Sequence, residues 1–253
     1  MSVDDLDGGA SGAVDSYSNA RCAAIYDVFE GPDRYDLDVY AAMVDEFGAA
    51  SVLDVGCGTG AFASMLAVRG VEVVGVDPSA LALDVAKSKP GAERVTWVHG
   101  TAPDVPPLQV DMAFMTANVA QVFLGDEDWS ETLRAIHGCL REGGRLVFES
   151  RRPERKAWED WTKATTHCRA EVEGEGPVES WVQLESVDGE YVRFVGVTVF
   201  ESDGARVEER STLRFRSRDD LTSSLEREGF VVDEIRDAPD RPGREFVFIA
   251  RAV

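Results

Sequence analysis

Along the first two thirds of the chain the apolar residues switch between two spacings, and the switching sets the architecture. In "DLDVYAAMVDEFG" Leu37, Tyr40, Met43, Val44 and Phe47 recur at helical intervals and stop at Gly48, a residue suited to close a helix. "SVLDV" is then a short continuous apolar run, the mark of a buried strand, and "AFASMLAVRG" returns to helical spacing before another glycine. The exchange repeats with "EVVGVD" as strand, "SALALDVAKSK" as helix, "RVTWVHG" and "DMAFMT" as strands, "DWSETLRAIHGCLREGG" as helix and "RLVFES" as strand. Buried strands alternating with helices specify an α/β fold, a doubly wound and mostly parallel sheet covered on both faces.

After Ser150 the pattern changes. "VESWVQLESV", "EYVRFVGVTVF" and "RVEERSTLRF" read as three longer strands joined near Asp188-Gly189 and through Ser202-Asp203-Gly204, turns that predict an inserted antiparallel β-meander. The α/β pattern resumes with "RDDLTSSLEREGF" as helix and "VVDEI" as strand. Only "RDAPDRPGR" separates that strand from "EFVFIARAV", too short and too rich in Pro and Gly for a crossover helix, so the last strand is expected to run antiparallel. The expected organisation is a tail at 1–15 with little to bury, a main domain formed by 16–150 and 217–253, and the insertion at 151–216.

A length of 253 residues suits one such domain with an insertion. The formal charge of −21 is spread over the chain, and such a surface repels phosphate backbones and anionic lipid, so neither nucleic acid nor membrane is an expected partner. A small neutral or cationic molecule fits better. Cys22, Cys57, Cys139 and Cys168 show no CxxC spacing and fall on segments read mostly as helix or glycine loop, so reduced thiols and no metal are expected. The N-terminal segment has no apolar core of signal-peptide length and no apolar run approaches 18 residues; the expectation is a cytoplasmic protein.

The chemistry concentrates in "VLDVGCGTGAF", where Gly56, Gly58 and Gly60 alternate between a strand and a helix. Such a turn exposes backbone N–H groups and the positive end of the helix dipole to a ligand lying on the main chain. Gly56, Gly58 and Ala61 satisfy the dinucleotide pattern GxGxxG/A, with Asp77 at the distance expected of a ribose-binding carboxylate, so an NAD-dependent oxidoreductase has to be weighed. Asp54, just before the loop, is poor company for a diphosphate and suits an ammonium or sulfonium. The antiparallel last strand also departs from the usual dinucleotide-binding sheet.

Taken together, "VLDVGCGTG", "VVGVDPS" and "LREGGRLVFE" resemble the motifs of the class I S-adenosylmethionine-dependent methyltransferases, over residues 50 to 150 and 218 to 253. The meander resembles the insertions of small-molecule members, including those acting on amino sugars. The resemblance implies a Rossmann-like domain, S-adenosylmethionine as cofactor with S-adenosylhomocysteine as product, and in-line methyl transfer to a small-molecule acceptor. It places Asp54, Gly56, Gly58 and Gly60 under the methionine and ribose portions, Asp77 on the ribose hydroxyls, and Pro78 and Leu81 along the adenine. Thr101 and Ala102 stand where the family often has an acidic residue for the adenine amino group, with Asp104 near enough to reach back. Thr116 and Asn118 would lie beside the methionine moiety.

A general base is required only if the acceptor arrives protonated. His99, at the end of the third strand, His167, in the linker to the meander, and Glu149, at the ligand end of the fifth strand, are the candidates, each with an ordinary packing or ion-pairing role as its alternative. His137, mid-helix, reads as structural. Tyr26, Glu149, Arg151 and Trp158 are the candidate acceptor contacts, Trp158 sharing a helical face with Trp161. A protein that binds the cofactor without turnover also satisfies these residues, and the meander reads equally as a lid or as the surface of a homodimer.

Overall fold

The computed structural model describes residues 18–31 and 34–253; the expected tail at 1–15 lies outside the described residues. The first five strands are β1 (Ser51–Val55), β2 (Glu72–Asp77), β3 (Val95–His99), β4 (Val110–Met115) and β5 (Leu140–Arg151). The insertion carries β6 (Cys168–Val172), β7 (Gly176–Asp188), β8 (Tyr191–Phe200) and β9 (Ala205–Arg214), and the chain closes with β10 (Phe230–Asp237) and β11 (Glu245–Ala252). The helices are α1 (Ala20–Glu30), α2 (Tyr35–Glu46), α3 (Ala61–Val68), α4 (Ala80–Ser88), α5 (Asp126–Cys139), α6 (Lys163–Thr166) and α7 (Arg218–Arg227).

One sheet of seven strands has the order β10-β11-β5-β4-β1-β2-β3. β1 to β5 pair in parallel, and β11 runs antiparallel to both β5 and β10, as the short Pro- and Gly-rich connection requires. Side-chain alternation divides the core between the two faces. Leu53, Val55, Leu146, Phe148 and Phe248 pack with α5 and α7, whereas Val52, Val147, Val247 and Ile249 pack with α2 and α3. Phe148 and Phe248, register partners on β5 and β11, stack with ring centroids 4.9 Å apart.

Three elements differ from the sequence expectation. The antiparallel sheet has four strands in the order β6-β7-β8-β9, because Cys168–Val172 pairs with β7. Cys168 therefore sits on an exposed strand rather than a helix or glycine loop. The helix before β5 stops at Cys139, and the strand already begins at Leu140, pairing with Val110 before an irregularity carries the register past the Gly143-Gly144 pair.

Helix α1 is capped by the Asn19 side chain, which accepts from the Arg21 and Cys22 amides. It touches both bodies. Arg21 pairs with Glu175 and, at 3.0 Å, with Asp203 in the insertion, while Asp27 accepts the Thr59 hydroxyl at 2.7 Å and pairs with Lys89 at 2.5 Å in the main domain.

Trp129 anchors α5 to the sheet. It is 1% exposed, its ring meets Phe148 edge-on at 5.7 Å, and its indole N–H donates to Ser224 of α7 at 2.9 Å. Replacing Trp129 by Ala should lower stability by about 3–5 kcal/mol, read as a shift of the urea midpoint with an unchanged slope.

Candidate active site

The C-terminal ends of β1, β2 and β4 converge on the glycine loop. Gly56, Gly58 and Gly60 all have left-handed backbones, with φ of 71°, 52° and 74°. Two of them meet different neighbours. A Cβ on Gly56 would stand 2.6 Å from Val119 Cγ2, beside the cavities; one on Gly60 would stand 2.5 Å from the Trp97 ring and 2.8 Å from Ala86, inside the packing of the main domain. Gly56 keeps a cradle open, whereas Gly60 lets α3 start close to β3 and α4.

Gly56 lines two cavities. One, of about 240 Å³, is mostly apolar, with Val55, Val76, Pro78, Ala102 and Val119 on its walls and Thr101 beside them. The other lies along the loop from Gly56 to Thr59 and is closed by Tyr26, Arg34 and Thr116. Asp77, at the end of β2, is buried, its two oxygens accepting the amides of Gly58 and Ser79, each at 2.8 Å. Ser79 in turn caps α4.

Asp54, on β1 behind the loop, is 1% exposed, and neither carboxylate oxygen has a hydrogen-bond partner of ordinary geometry. Burial and the nearby Asp77 charge push its carboxyl up to about 7, with a small opposing pull from the Ala63 amide. Thr101 offers less than expected, because its amide and hydroxyl both donate to Asp104, at 2.8 and 2.9 Å. Leu81 is half-buried on the first turn of α4 and lines neither cavity.

Beyond β4 the chain turns through two left-handed non-glycine residues, Ala117 at φ 55° and Asn118 at φ 62°. Asn118 is held by buried acids: its amide donates to Glu149 at 3.0 Å and its side chain to Glu245 at 3.2 Å. Glu149 is fully buried and also accepts the Tyr40 hydroxyl. It is therefore not an open acceptor contact. Burial, then the Glu245 charge, push its carboxyl up to about 7 against the pull of Arg241 and Tyr40.

The remaining candidates scatter. His99 is exposed and bonded to the Pro78 carbonyl at 3.0 Å, and His167 faces Glu179 of β7 at 3.4 Å. Neither lines a described cavity. His137 meets the Val253 carbonyl, the structural role expected of it. Trp158 packs edge-on against Phe215 at 4.6 Å, within an apolar cluster of the insertion. Arg151 donates to Gln121 at 2.9 Å, and Trp161, not Trp158, shares its cavity. Sequence reasoning passed over Tyr40, Arg34, Arg241 and Glu245; Tyr40 reads as one more apolar position of α2, and Glu245 as the edge of an apolar strand. Among the described residues no helix is long and apolar enough to cross a membrane, and no group of His, Cys, Asp and Glu is placed to hold a metal ion.

This loop, the carboxylate after β2 and the strand order agree with the comparison to known families, in which residues 52–144 match the model described as a methyltransferase domain. Similar proteins include a methyltransferase of Geobacillus, 30% identical over 137 residues, or 53% of each chain. A malonyl-[acyl-carrier protein] O-methyltransferase of Pseudescherichia vulneris is 30% identical over 128 residues, covering 51% of this chain and 49% of its own. The chain thus spans about half the length of these relatives. Among solved structures, an amino pentose methyltransferase from Micromonospora echinaspora superposes with a TM-score of 0.71 at 20% identity, over 90% of this chain and 97% of that one. The main domain and its insertion therefore share one fold with that enzyme.

The orphaned Asp54 makes a test of the buried end of this domain. Its folded pKa of about 7 exceeds the value near 3.9 of an unfolded chain, so the folded state binds the proton more tightly and this group removes stability as pH rises from about 4 to 7. Asp54→Asn should gain about 1–3 kcal/mol relative to wild type between pH 5 and pH 8, measured by urea unfolding at both values.

Proposed function

We propose that the protein transfers a methyl group from S-adenosylmethionine to a small-molecule acceptor. The observation that carries the reading is the pair of cavities sharing Gly56. An apolar slot on one side suits an adenine ring, and a polar one on the other, with Arg34 and Tyr26, suits the carboxylate end of an amino acid. The fit extends to Asp77. It stands at the end of β2 beside the loop, its oxygens accepting the Gly58 and Ser79 amides, where a ribose lying on the loop would meet a carboxylate. Asp54 makes the loop unfavourable for the diphosphate of NAD, and the antiparallel β11 is foreign to the usual dinucleotide-binding sheet.

When bound, S-adenosylmethionine supplies the electrophile, a methyl on a sulfonium sulfur, so no covalent residue of the chain is required. What the chain contributes is placement and exclusion of water. Gly56 permits close approach, Val119 and Ala102 wall the slot, and Asn118, fixed by Glu149, sets the turn after β4. The insertion begins where β5 ends and carries Trp161 over Arg151, which makes it the wall for an acceptor. Solved relatives named as sugar N-methyltransferase and amino pentose methyltransferase agree with a small polar acceptor.

Calorimetric titration should show binding of S-adenosylhomocysteine and none of NAD. Asp77→Ala should weaken the former by about ten- to a hundredfold, the loss of charged hydrogen bonds to the ribose. Unchanged affinity in a cooperatively melting variant, or tight NAD binding, would overturn the reading.

A further inference from the structure

A third cavity, of about 480 Å³, opens between the start of β11, the end of β5 and the first turns of the insertion. Its floor includes Glu245, and its walls include Arg151, Arg244, Asp160 and Trp161. Glu245 is the unusual member. It is 1% exposed, and its two oxygens differ: Oε1 accepts from Asn118 at 3.2 Å and pairs with Arg241 at 2.9 Å, whereas Oε2 is buried with no hydrogen-bond partner. A carboxylate oxygen removed from water and left unbonded is costly, and the cost is relieved by a donor supplied from outside.

The neighbouring guanidiniums are engaged elsewhere. Arg241 also reaches Asp240 at 2.8 Å and Glu149 at 3.6 Å, Arg151 donates to Gln121 and comes no nearer than 3.9 Å to Glu245, and Arg244 lies 3.9 Å from Asp160. Four acidic side chains, Glu149, Glu245, Asp160 and Asp240, thus stand among these three guanidiniums. A short path of residues links the cavity to the loop cavity: Thr116 and Ala117 line the latter, and Asn118, next in the chain, bonds Glu245.

We propose that this third cavity holds the methyl acceptor and that Glu245 is its specificity-determining contact, its free oxygen receiving the N–H of an amine on a small polar molecule. An ammonium there makes a charge-assisted hydrogen bond, stronger than that of a hydroxyl in the same position, and the acidic chain favours its entry. The inference rests on the reading of the cofactor site given above and names the acceptor chemistry for it.

The test compares amines with their hydroxyl twins, glucosamine against glucose and serinol against glycerol, titrated into protein saturated with S-adenosylhomocysteine. The amine of a pair should bind at least about tenfold tighter than its twin, and Glu245→Gln should reduce that preference to less than about twofold with S-adenosylhomocysteine affinity unchanged. Ala157→Phe, a filler on the insertion side of the cavity, provides the second variant should Glu245→Gln melt without cooperativity; it should abolish amine binding and spare the cofactor product. Equal affinity within both pairs, no binding by any of the four, or a preference that survives both substitutions would overturn the inference. Failure of S-adenosylhomocysteine itself to bind would instead overturn the cofactor reading beneath it.

Discussion

Two carboxylates buried against two guanidiniums, where β5 meets β11, hold the ligand end of the sheet together. Glu149 and Arg151 lie on the same face of β5, and Glu245 is the register partner of Arg151 across the antiparallel ladder. Burying such charges is expensive, and the arrangement persists because each acid is shared: Glu149 by Tyr40 of α2 and Asn118 after β4, Glu245 by Asn118 and Arg241. Removing one partner would leave an uncompensated charge in the interior. The left-handed turn at Ala117 and Asn118 depends on this cluster directly, since the Asn118 amide has its bond to Glu149.

The antiparallel direction of β11 is thus more than a topological mark. A parallel strand beside β5 would begin from the opposite end of the sheet, and Glu245 would be carried away from Arg151 and Asn118. The short connection after β10, with its Pro and Gly residues, forces the reversal and so places a buried acid beside the insertion.

Much of the main domain was legible because its signals are local. The period of apolar residues, the glycine closures and the Asp-Gly turn each act over a few neighbours, and β1 to β4, α2 to α4 and the final hairpin follow them. β6 was missed because "CRAEV" is short, polar and half exposed, so its pairing with β7 has no pattern of its own. The early start of β5 was hidden by a Gly pair that reads as a helix stop but sits within the strand. At the site, the loop glycines and Asp77 stood out by spacing. Tyr40 with Glu149, 109 positions apart, and Asn118 with Glu245, 127 apart, did not, because only the strand order brings them together. The three loop glycines also looked alike in sequence, although Gly60 answers to Trp97 and Gly56 to the cavities.

Helix α1 joins two parts of the molecule that the sheet leaves separate. Through Asp27 it grips the glycine loop at Thr59 and the residue closing α4, Lys89, and through Arg21 it grips the insertion at Glu175 and Asp203, with the Arg21 guanidinium 3.7 Å from the Phe200 ring centre. The glycine loop and the antiparallel sheet are thus tied to the same helix. Any coupling carried by that helix is reciprocal by linkage: whatever free energy occupancy of the loop were to add to the docking of the insertion, occupancy beneath the insertion would return to the loop.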